Sequence, residues 1–106
     1  MPVDRGERSE PVRPFPPSRD VPELSRFYGI RIAMYWNDHQ PPHFHAEYSG
    51  EEALVGIQPV RVLEGSLSRR ARSLVFEWAA EHQEELLRCW KLAQGPAPLP
   101  KIAPLD

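Results

Sequence analysis

The spacing of apolar residues changes period partway along this chain, and that change limits the folds open to it. Ile30, Ile32, Met34 and Trp36 alternate with Gly29, Arg31, Ala33 and Tyr35, the period-2 signature of a strand with one buried face. Asn37-Asp38 ends that pattern, and Pro41-Pro42 keeps the following loop out of helical geometry. A second strand is expected from about His43 to Tyr48. After the turn signal Ser49-Gly50 a third is expected over residues 52–57, and a short fourth over Val60 to Leu63. From Ser68 to Ala93 the apolar residues Ala71, Leu74, Val75, Trp78, Ala79, Leu86, Leu87 and Trp90 recur at intervals of three and four, the pattern of an amphipathic helix. Ser66 or Ser68 supplies its N-cap, and Gly95-Pro96 its stop. The spacing predicts an α+β fold: a small antiparallel sheet of three to four strands packed against one long C-terminal helix.

A chain of 106 residues has room for one small domain, and composition places it at residues 23–106. Residues 1–22 hold six of the thirteen prolines and almost no apolar residues, so they read as a disordered leader. Val21 is a candidate natural start, since valine is what translation of an internal GTG start codon writes. The single cysteine, Cys89, excludes an internal disulfide and the zinc frameworks built on paired cysteines. No apolar run is long enough to cross a bilayer and no signal peptide is visible, so a soluble cytoplasmic protein with no membrane partner is expected. A net charge of −2 gives no global attraction to nucleic acid, which would need a local basic patch.

Three of the four histidines, His39, His43 and His45, fall within seven residues. On a strand, alternate side chains share a face, so His43, His45 and Glu47 point one way while Phe44, Ala46 and Tyr48 point toward the core. Two imidazoles and a carboxylate on one face make a candidate site for a divalent metal such as zinc, which His39 or Asp38 could complete from the loop. The same three histidines are candidate acid–base catalysts. The structural alternative stays open: imidazoles at a loop–strand junction also bond backbone carbonyls and hold the loop. His82 lies on the apolar stripe of the helix and reads as a core histidine or an outlying ligand.

The helix carries its charges in the wrong order for its dipole. Arg69, Arg70 and Arg72 crowd its first turn, while Glu81, Glu84 and Glu85 come later. Those arginines are candidate contacts for phosphate or an acidic partner, against the alternative of a solvated face.

The segments Pro22-Glu23-Leu24-Ser25-Arg26-Phe27-Tyr28-Gly29-Ile30 and Asn37-Asp38-His39-Gln40-Pro41-Pro42-His43-Phe44-His45-Ala46-Glu47-Tyr48, with Glu77-Trp78-Ala79 and Lys101-Ile102-Ala103-Pro104-Leu105, closely resemble a bacterial family known as domain of unknown function 4160. The resemblance covers roughly Val21 to Leu105 and implies no defined chemistry. It implies a small prokaryotic protein encoded beside a second small protein, as in a toxin–antitoxin pair. Two functions are therefore expected as alternatives. One is a protein- or nucleic-acid-binding component of such a pair, acting with a small partner protein encoded nearby. The other is a metal- or histidine-dependent phosphodiesterase or RNase-type toxin built on His39, His43 and His45.

Overall fold

The computed structural model describes residues 22–106, so the expected leader and the start suggested at Val21 lie outside the described residues, Pro22 excepted. Five strands follow in chain order: β1 (Glu23–Phe27), β2 (Ile30–Ala33), β3 (His43–Tyr48), β4 (Glu51–Ile57) and β5 (Val60–Gly65). They form one antiparallel meander in which each strand pairs with the next. Two helices complete the domain, α1 (Arg69–Glu81) and α2 (Gln83–Ala93). The α+β class is as expected; the sheet has five strands, not three to four, and the single long helix is two.

The turns explain the sheet order. Tyr28-Gly29 and Ser49-Gly50 are two-residue links whose residues all have positive φ, at 51°, 81°, 52° and 85°. That is the type I′ geometry, whose twist matches that of the strands it joins. The first of these turns creates β1, which the alternation pattern does not show. A bulge between Glu23 and Ser25 interrupts its period, leaving both Leu24 and Phe27 buried.

One sheet face forms the core. Ile30, Ile32, Phe44, Ala46, Ala53, Val55 and Ile57 pack with Val75, Trp78 and Ala79 of α1 and Leu86, Cys89, Trp90 and Ala93 of α2. Trp78 lies 5.5 Å from the ring of Phe27 and 5.8 Å from that of Phe44. Its indole N–H donates to the Ala103 carbonyl at 2.8 Å. The C-terminal segment runs beside β1, where the Ile102 amide donates to the Leu24 carbonyl at 2.8 Å. Trp36, expected on the core face, is exposed, and its indole donates to the Ala97 carbonyl.

The helix divides at His82, whose φ of −118° and ψ of 26° lie outside α geometry. The Gln83 side chain donates to the Ile57 carbonyl at the end of β4. The break reverses much of the charge penalty expected of one helix, because Glu84 and Glu85 occupy the first turn of α2 and Lys91 its last. The arginines in the first turn of α1 and Glu81 at its last residue remain at unfavourable ends. Ser68 caps α1, its hydroxyl accepting from the Ala71 amide, and the Glu51 carboxylate accepts from the Ser68 amide.

Candidate metal centre

Phe44 and Ala46 enter the core, so the pleat directs His43 and His45 to the opposite face of β3. They are nonetheless buried, at 1% and 7% exposure, because the segment between β2 and β3 folds over them. That segment is tied down at three points. The Asn37 amide donates to the Ala93 carbonyl at the end of α2, the Trp36 indole to Ala97, and the Ile57 amide to the Pro42 carbonyl. Tyr35 is laid flat on the His45 imidazole, ring centroids 4.2 Å apart and 19° from parallel. The Trp90 ring lies 5.2 Å from that of His43.

Asp38 is the centre of the group. Its Oδ2 is 2.9 Å from His43 Nε2 and 3.2 Å from His45 Nε2. Each ring is held from its other side. His43 Nδ1 donates to the Pro41 carbonyl at 2.7 Å, and His45 Nδ1 faces Glu52 Oε2 at 3.1 Å. Burial works to raise the Asp38 carboxyl, but the hydrogen bonds from His45, the His39 amide and His43 outweigh it and hold the group below its ordinary value. Glu52 goes the other way, because burial pushes its carboxyl up and the bond to His45 only partly offsets this.

Asp38, His43 and His45 thus form a group that could hold a metal, with one ligand atom from each within 4.8 Å of the others. In a tetrahedral zinc site with bonds of ~2.0–2.1 Å the ligand atoms would sit about 3.3 Å apart. The two separations from Asp38 Oδ2 lie within a few tenths of an ångström of that. The group joins His43 and His45 with Asp38, one of the two loop residues named as able to complete the site. Glu47 is outside the group. Its cross-strand partner Glu52 approaches His45 in its place, since the register pairs Glu47 with Glu52 and His45 with Leu54. Pairing outward from a two-residue turn at Ser49-Gly50 gives that register directly, so Glu52 was within reach of sequence reasoning. The stacking of Tyr35 had no signal, because it depends on the course of an irregular segment.

His39 stands at the mouth of the group, its side chain 71% exposed and its ring 5.4 Å from that of His43. His82 is elsewhere, bonded to Glu85 and resting against Trp78. Arg69, Arg70 and Arg72 are exposed on the first turn of α1.

Fold and site together define a small α+β domain in which a meander sheet carries a two-histidine, one-carboxylate group under a fixed loop. The chain belongs to the family Domain of unknown function (DUF4160), whose model matches residues 29–91, more than half of the chain and every residue of this group. No curated protein and no solved structure gives a significant match. Among the described residues, no helix is long and apolar enough to cross a membrane.

Proposed function

We propose that this domain binds a divalent transition-metal ion at Asp38, His43 and His45 and uses it for hydrolytic chemistry. The observation that carries the reading is the bonding of His43. The Pro41 carbonyl can only accept, so Nδ1 holds a proton, and the other nitrogen then faces a carboxylate oxygen that also only accepts. Two species satisfy that arrangement: a ring protonated on both nitrogens, or a neutral ring with a cation between Nε2 and Asp38 Oδ2. The approach of His45 Nε2 to the same oxygen favours the cation. One ion answers all three atoms, whereas without it His43 must be a buried imidazolium that shares a single carboxylate oxygen with the Nε2–H of His45.

The surrounding bonds support the same reading. Histidine ligands characteristically donate their second nitrogen to a carbonyl or carboxylate, which fixes the tautomer and strengthens the ligand. Pro41 and Glu52 occupy those positions. Two imidazoles and a carboxylate suit zinc and its neighbours in the first transition row, and three protein ligands leave room for a further group, as in hydrolytic sites. An ion bound there would act as a Lewis acid, and phosphodiesters are the first substrates to assay. Metal analysis and zinc titration of the purified full chain test the reading. Wild-type protein is expected to bind zinc stoichiometrically. Asp38→Asn, which keeps the shape of the side chain and removes its charge, is expected to lose more than about tenfold in affinity while retaining native circular dichroism. Absence of stoichiometric binding of zinc, cobalt or manganese by the wild type would refute it.

A second reading rests on the exposed basic turn of α1. We infer that Arg69, Arg70 and Arg72 contact the acidic surface of a small partner protein, in keeping with the gene pairing that the family resemblance implies. Co-purification with the product of the adjacent gene, weakening with salt, is the expected result. Unchanged co-purification after reversal of all three charges would count against it.

A further inference from the structure

The three clustered imidazoles share one orientation. His43 Nδ1 meets the Pro41 carbonyl, His45 Nδ1 meets Glu52, and His39 Nδ1 meets the Gln40 carbonyl at 3.2 Å. In each ring Nε2 is the nitrogen left to face Asp38. For His43 and His45 it faces Oδ2, and for His39 it lies 3.7 Å from Oδ1 of the same carboxylate. Because the Gln40 carbonyl can only accept, Nδ1 of His39 carries a proton, so the neutral ring has its lone pair on Nε2, the form in which imidazole binds metal.

The rings differ in how firmly they are held. Trp90 packs on His43 and Tyr35 stacks on His45, and both histidines are buried. The His39 side chain is 71% exposed, and its Nε2 makes the longest approach to Asp38 of the three. Its own backbone amide donates to Asp38 Oδ1 at 2.9 Å, so the residue is anchored at the site while its side chain can turn.

We propose that His39 is a displaceable fourth ligand: its side chain, now just outside the group of three, turns in to complete the coordination of a bound ion and yields its place to an anionic ligand. This rests on the metal reading above. Exchange falls on His39 because it is the one imidazole of the three that can leave without exposing buried surface, and its departure opens the site on the side facing solvent. An incoming phosphate or carboxylate oxygen would take the vacated position, which makes anions the substrate class of the site.

Cobalt(II) titration of the full chain, followed by azide titration of the loaded protein, tests this in wild type and His39→Ala. Wild type is expected to give the intense visible spectrum of four-coordinate cobalt. His39→Ala should bind cobalt in the same stoichiometry but more weakly, by at least the roughly 10–100-fold typical of losing an outer-shell partner. The variant should also bind azide more tightly than wild type, because no side chain has to leave. Cobalt affinity equal to wild type, or azide affinity equal to or weaker than wild type, would overturn the proposal. Failure of the wild type to take up cobalt would instead overturn the metal reading itself, at the first step of the same titration. Since His39 is exposed, the variant is expected to melt with the wild type.

Discussion

Glu23 shows how much a single ion pair depends on its surroundings. Its carboxylate lies 2.7 Å from Arg26 and 3.3 Å from Arg31, with its side chain 22% exposed. The bond from Arg26 holds its carboxyl below the usual value, more than offsetting burial. A group whose folded pKa lies below its unfolded one adds stability that is complete above the unfolded value, near 4.5, and is lost as pH falls through the folded value. Glu23→Gln is therefore expected to be less stable than wild type at pH 7, with the gap closing in thermal melts below pH ~4. An equal gap at both pH values would show that the contribution is packing. Residue-scale features such as this pair were largely hidden in the sequence. Glu23 and Arg26 are three apart, a helical spacing, and they meet here across a bulged strand.

The helix break and the β4–β5 contact belong to the scale of elements. Buried Val75, Trp78 and Ala79 are spaced by three and four, and Leu86 follows Ala79 by seven, the two-turn repeat of a continuous helix, so the hydrophobic pattern gives no sign of the break. The charge order did carry it: acids in the middle of one helix oppose the dipole, and acids in the first turn of a second helix do not. Gly65 ends β5 with φ at +77°, and a Cβ there would lie 2.2 Å from the Glu52 carbonyl and 3.1 Å from Ala53 Cα. Those are backbone atoms of β4, and they cannot give way without opening the strand pair. Gly65→Ala is expected to cost on the order of 2–4 kcal/mol in urea unfolding, from strain and overpacking together. It should also weaken the zinc affinity proposed for the Asp38 group, because Glu52 holds His45. A loss under about 0.5 kcal/mol, the range of ordinary surface substitutions, would show that β5 peels away freely.

At the scale of the whole molecule, the site sits where three separate regions meet. The loop supplies Asp38, β3 supplies the imidazoles and β4 supplies Glu52, while Ala93 at the end of α2 fixes the loop through the Asn37 amide. The sequence by itself determined the class of the fold, the core face of the sheet and the pairing of His43 with His45. These follow from periodicity, which is a local property of the backbone and needs no knowledge of what packs against it. The meander's first strand and the choice of Asp38 over Glu47 were decided only in three dimensions. A strand face says which side chains share a direction, but it does not say how far each one reaches. Distance to a common point is set by the path of the loop and the register of the neighbouring strand. Both are fixed by contacts remote in sequence, among them the bond between Asn37 and the last residue of α2.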